Sequence, residues 1–156
     1  MKIAVLDNVR SVYNVGSIFR TANAAGIDKI YLCGITPTPL DHKGRRRSDF
    51  AKVALGAEDT VAWEYVESTL VCVQKLKTEG VFVVGVEQHE SSVDYKNVSV
   101  EGKENIAFLI GAEVEGVRKE VLEICDVVAE IPMLGTKESL NVTIAFGIVV
   151  YRILGL

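Results

Sequence analysis

The sequence predicts an α/β domain with a mostly parallel sheet and helices on both faces, and three observations carry that prediction. Short apolar runs alternate with helix-like segments along the whole length. The runs Ile3–Leu6, Val81–Val86 and Ile106–Ile110 lack the alternation of a half-exposed strand and read as strands buried on both faces. Hydrophobic residues make up 49% of the 156, enough for a core without disulfides or metals.

Each element has a local reason. After the first strand, Asn14 is positioned to cap a helix reaching Ala25, with Ile18, Phe19, Ala22 and Ala25 on one face and Gly26 as the terminating glycine. Lys29–Cys33 is the next strand. A loop from Gly34 to about Asp49 follows, holding Pro37, Pro39 and the run Arg45-Arg46-Arg47. Phe50–Leu55 predicts a short helix, and Val61–Val66 a short strand with Trp63 and Tyr65 as packing residues. Ser68 caps a helix to Glu79, closed by Gly80. Gln88–Lys103 is polar and reads as surface loop. Arg118–Ile124 predicts a helix, Val127–Ile131 a last strand stopped by Pro132, and Asn141–Leu154 a final helix.

Length and the absence of repeats or linkers point to one domain over residues 1–156. The net charge of −4 argues against a uniformly basic nucleic-acid-binding surface but permits a local patch. Cys33, Cys72 and Cys125 form no CxxC pair and, with His42 and His89, no metal-ligand pattern, so no metal and a reducing, cytoplasmic compartment are expected. The chain opens without the basic and apolar regions of a signal peptide. Val142–Leu156 is shorter than the ~20 residues of a spanning helix and contains Arg152, so no membrane is expected.

In open parallel sheets, ligands bind beyond the carboxyl ends of the strands. Three such ends carry unusual residues: Val86-Glu87-Gln88, the loop Gly111–Gly116, and the segment Pro132–Asn141. Gly111–Gly116 is neither a P-loop nor a dinucleotide fingerprint. It is either a plain strand-to-helix turn with solvated acids or a close backbone approach that sets Glu113 beside a ligand. Ser139 and Asn141 sit where they can cap the last helix, bind a ligand, or do both. Arg20, between Phe19 and Ala22, reads as partly buried, with an internal carboxylate or an RNA phosphate as its partner.

Together these segments resemble the SpoU (TrmH) family of the SPOUT class of RNA methyltransferases. The resemblance lies in Asn14-x-Gly16-x-x-x-Arg20-x-Ala22, in Phe108-Leu-Ile-Gly111-Ala-Glu113-Val-Glu-Gly116-Val117, and in Ile131-Pro-Met133 followed by Ser139-Leu-Asn141-Val142. It spans nearly the whole chain, in order. It implies a C-terminal trefoil knot whose loops bind S-adenosylmethionine, against Val86, Glu87, Ile110, Gly111, Gly116, Ile131, Met133, Ser139 and Leu140. It implies methyl transfer to a ribose 2′-hydroxyl of transfer or ribosomal RNA. It also implies a homodimer in which Arg20 faces the partner's pocket, as proton acceptor or as the group that orients hydroxyl and phosphate. Asn14, Glu113, Ser139 and Asn141 are then the supporting residues.

Arg45, Arg46, Arg47 and Lys52 are the candidates for RNA backbone contacts; a basic loop can equally be simply solvated. The family pattern has Asn before its glutamate where this chain has Ala112, so that amide's contacts are missing. Ala112 favours one rival, a non-catalytic RNA-binding module of the same fold. The other rival, a SPOUT enzyme methylating a base nitrogen, is disfavoured by Arg20.

Overall fold

In the computed structural model, which describes residues 1–156, the chain begins with β1 (Lys2–Asp7), α1 (Val12–Ala24) and β2 (Lys29–Cys33). The middle carries α2 (Ser48–Ala54), α3 (Ala57–Thr60), β3 (Ala62–Val66), α4 (Thr69–Thr78) and β4 (Phe82–Val86). Then come β5 (Val93–Asp94) with a 3-10 turn at Tyr95–Asn97, β6 (Ile106–Gly111), α5 (Lys119–Leu122), β7 (Val127–Glu130) and α6 (Val142–Leu154). The strands form one seven-stranded sheet in the order β3-β2-β1-β6-β4-β7-β5, and every pairing is parallel.

Alternate residues of each strand feed two cores on opposite faces of the sheet, as the two-residue period requires. Ala4, Leu6, Ile30, Leu32, Phe108 and Ile110 pack under α1, α2 and α6, where Phe19 and Phe50 meet edge to face with centroids 5.2 Å apart. Ile3, Val5, Tyr31, Val83, Ala107 and Leu109 pack under α4 and α5. The layered fold with helices on both faces is therefore as expected, and the sheet is wholly rather than mostly parallel.

Several local expectations are corrected. Ser11, not Asn14, caps α1, its side chain accepting from the Asn14 backbone N–H at 3.2 Å. Asn14 lies inside the first turn, which frees its side chain for another task. Tyr65 is exposed because β3 is an edge strand, whereas Trp63 packs against the core. The helix over 118–124 shrinks to the single turn α5. The polar stretch 88–103 hides β5, a two-residue pairing on the outer side of β7 too short to leave a hydropathy pattern. α3, one turn long, left no signal either. Ser68 caps α4 as expected, accepting from Val71 N–H at 3.4 Å.

Candidate active site

Because β6, β4 and β7 are adjacent and parallel, their carboxyl ends open at one edge of the sheet. The segments that leave them enclose a cavity of about 510 Å³, within the range of small-molecule sites. All nine residues expected to hold a cofactor line it: Val86 and Glu87 after β4, Ile110, Gly111 and Gly116 around β6, and Ile131, Met133, Ser139 and Leu140 after β7. Glu113 and Asn141 line it too.

The loop Gly111–Gly116 is a tight hairpin-like turn, closed by Gly116 N–H donating to Ala112 C=O at 3.0 Å. Both glycines are sterically required. A Cβ on Gly111 would lie 2.5 Å from the Val117 backbone nitrogen. Gly116 has φ +66°, and its Cβ would lie 2.4 Å from Glu87 Oε2. Glu87 stands there because its carboxylate accepts from Val117 N–H at 3.1 Å and, through the other oxygen, from Gln88 N–H at 2.9 Å. Glu87 thus staples the end of β4 to the start of the segment leading to α5.

The three motif segments are joined by a chain of hydrogen bonds. Asn14 Nδ2 donates to Glu113 Oε1 at 2.8 Å, and Asn14 Oδ1 accepts from Asn141 Nδ2 at 3.4 Å. Asn141 Oδ1 in turn caps α6, accepting from Thr143 N–H at 2.8 Å and from Thr143 Oγ1 at 2.6 Å. Glu113 also accepts from Arg10 N–H (3.3 Å) and Ser11 N–H (3.4 Å) at the amino end of α1. Partial burial works to raise its pKa, but Asn14 and the backbone donors outweigh it and hold the carboxyl below the usual carboxylate range. Glu113 is exposed, yet three donors hold its carboxylate in place at this turn.

Other expected residues stand differently. Ser139 lines the cavity but lies ahead of α6 and does not cap it. Arg20 is exposed rather than partly buried, enters none of the chain's ion pairs and does not line the cavity of its own chain. In the basic loop each arginine already meets a carboxylate: Arg45 with Asp41 (2.9 Å), Arg46 with Glu58 (2.6 Å) and Asp59 (2.8 Å), and Arg47 with Asp49 (2.9 Å). Glu58 is buried, so Arg46 is tied into the fold, whereas Lys52 is exposed and unpaired. Gln88 lines the cavity and bonds across it, a role that no motif signalled.

None of the three cysteines lines the cavity. The neighbouring Cys72 and burial push the Cys33 thiol up, and burial with the nearby Asp126 pushes Cys125 up to about 12. No cluster of three or more His, Cys, Asp or Glu is arranged to hold a metal, and no helix is long and apolar enough to cross a membrane.

The sequence model of the SpoU rRNA Methylase family matches residues 1–151. A 23S rRNA (guanosine-2'-O-)-methyltransferase RlmB from Ralstonia nicotianae is 35% identical over 150 residues, covering 96% of this chain and 57% of that protein. The crystal structure of an AdoMet-bound rRNA methyltransferase from Sinorhizobium meliloti superposes with a TM-score of 0.87 at 30% identity, covering 97% of this chain and 54% of that one. A TrmH/SpoU tRNA modifying enzyme from A. aeolicus gives a TM-score of 0.82 at 28% identity, covering 97% of this chain and 72% of the other. This chain therefore spans little more than half the length of the rRNA methyltransferases it matches. With two motif segments lining one cavity, the third bonded to both of them through Asn14, and the family model running along almost all of the chain, the chain belongs to the SpoU rRNA Methylase family.

Proposed function

We propose that residues 1–156 form one methyltransferase domain that moves the methyl group of S-adenosylmethionine to a ribose 2′-hydroxyl of ribosomal or transfer RNA. The observation that carries this is the cavity where the ends of β4, β6 and β7 meet Glu113 and Asn141, each of which is hydrogen-bonded to Asn14 of α1. The residues present fit the cofactor. Val86, Ile110, Ile131, Met133 and Leu140 offer apolar walls for an adenine ring. The backbone of residues 131–140 makes no hydrogen bond to other backbone, so apart from the Glu138 C=O, which accepts from Gln88, its polar groups are free to bond the adenosine edge. The anionic Glu113 suits a site for a sulfonium. When bound, S-adenosylmethionine supplies an activated methyl carbon for in-line displacement by the ribose oxygen.

The chain's own contribution is alignment. Glu113, Asn14 and Asn141 lock α1, the β6 turn and α6 into one geometry, so that little reorganisation accompanies reaction. Arg20, exposed and without an internal partner, is free to meet the ribose and its adjacent phosphate. A guanidinium keeps its proton near neutral pH, which favours the orienting role over proton acceptance. Since Arg20 stays outside the cavity of its own chain, it acts in the cavity of a second copy. α6 supports such a homodimer: Ile144 is 53% exposed and Tyr151 39%, with Gly147 and Ile148 half-buried on the same side.

A trefoil knot is part of the same reading. The chain between neighbours β4 and β6 detours past β7 to form β5 and its turn, and Lys96 C=O of that turn accepts from Arg152 of α6 at 3.2 Å. α6 also packs against α1 and β6. A helix held by the detour on one side and by the sheet on the other is what a threaded C-terminus requires. The free cysteines accord with a reducing, cytoplasmic setting.

For RNA backbone contact, Arg45, Arg47 and Lys52 are favoured over Arg46. Exposed ion pairs such as Arg45–Asp41 contribute little to stability and exchange readily for phosphate. Replacing Arg45, Arg47 and Lys52 with alanine should lower the salt slope of RNA binding by about two to three; an unchanged slope removes the loop from the interface. The test of function is transfer of labelled methyl into total RNA with the nucleoside identified. Methylated ribose is expected, and Arg20→Ala should abolish it. Label on a base nitrogen, or cofactor bound without turnover, would support the rival readings instead.

A further inference from the structure

We propose that Gln88 is the positioning residue that seats the cavity's C-terminal wall, residues 131–140, against the rest of the site. The proposal rests on reading the cavity as the S-adenosylmethionine site and adds a residue of this chain to it. Beyond its start, where Ile131 packs against the core, the wall has little else to hold it. None of residues 131–140 makes a backbone–backbone hydrogen bond, and from Leu134 onward every one of them is exposed. A single hydrogen bond reaches it: Gln88 Nε2 donates to Glu138 C=O at 2.7 Å, across fifty residues of sequence. Ser139 and Leu140, which follow directly, line the cavity.

Gln88 is a firm anchor for that bond. The residue before it is the last to be tied to the sheet, Glu87 N–H donating to Ala129 C=O at 3.1 Å. The Glu87 carboxylate then accepts the backbone N–H of Gln88 on one oxygen and that of Val117 on the other. Two consecutive residues at the end of β4 thus fasten the two opposite walls: Glu87 the turn after β6, Gln88 the segment after β7. Without the Gln88 bond, the exposed part of the wall, from Leu134 to Leu140, has to be ordered by the ligand. Apparent affinity then falls by the fraction of molecules in which the wall is seated.

Three readouts test this. Gln88→Met removes the donor at similar length, and Gln88→Lys restores an N–H donor. A glutamate-specific protease reports wall opening in the free protein through cleavage of the Glu138–Ser139 bond. Calorimetry with S-adenosylmethionine reports binding, and methyl transfer into total RNA separates KM from kcat. Loss of one exposed hydrogen bond should raise the cleavage rate roughly three- to tenfold in Gln88→Met. It should raise Kd and KM for S-adenosylmethionine by a similar factor, with kcat at saturating cofactor and the unfolding midpoint of the free protein retained. Gln88→Lys should recover both. Cleavage unchanged in Gln88→Met, or Gln88→Lys as impaired as Gln88→Met, overturns the proposal. A wild-type protein that binds no S-adenosylmethionine overturns the cofactor reading, and the protease result still decides the role of Gln88 in seating the wall.

Discussion

At the scale of single residues, Glu113 is the most informative side chain. Its carboxylate gathers one amide donor from Asn14 and two backbone donors from the start of α1, where the helix dipole also favours negative charge. Its pKa is lower folded than unfolded, so its contribution to stability is fully present above the ordinary carboxylate value and is lost as the pH falls through the lowered one. Urea midpoints measured from pH 7 down to pH 3 should therefore converge between the wild type and Glu113→Gln at the acid end. Asn14→Ala removes the side-chain donor and also leaves Asn141 Nδ2 without its acceptor. The Glu113 carboxyl should then titrate closer to its ordinary value in an NMR titration. Methyl transfer should fall by at least about tenfold, the scale of one misplaced catalytic contact.

At the scale of elements, the turn after β6 and the α1–α2 contact make separable predictions. Gly116→Ala meets both a left-handed backbone and the Glu87 carboxylate, so it should cost about 1–3 kcal/mol in a denaturant titration. Because Glu87 must move to admit the methyl group, cofactor affinity should fall as well. Phe50→Ala strips the edge-to-face partner from Phe19 in the core beneath α1 and α2 and should cost about 3–5 kcal/mol. Phe50 does not line the cavity, so the variant's affinity for S-adenosylmethionine at low temperature, where it remains folded, should be retained. A loss of affinity there would mean that α2 reaches the site.

At the scale of the whole molecule, the proposed homodimer rests on the outward face of α6. Ile144 and Tyr151 are apolar or aromatic and exposed, one and three turns into an otherwise well-packed helix. Sedimentation should give a dimer for the wild type, and Ile144→Asp combined with Tyr151→Asp should shift it to monomer and abolish methyl transfer. Activity kept by a monomer would return Arg20 to its own chain's cavity.

The fold class and the three strand-end segments around the cavity were readable from residue order, and the family resemblance supplied the individual cofactor contacts. Fully apolar runs report strands buried on both faces, and glycine, proline and cap residues mark where such strands end. That suffices to place Val86, Ile110, Gly111, Ile131 and Met133 at strand ends, because the signal is local. Partnership was not readable, since it joins residues far apart in the chain. Nothing in the sequence assigns Asn14 to Glu113 rather than to a helix cap, gives each arginine of the 45–47 run a carboxylate, or brings Gln88 to Glu138. Those outcomes follow from the strand order, which sets three loops side by side at one edge of the sheet, and only packed coordinates reveal that edge.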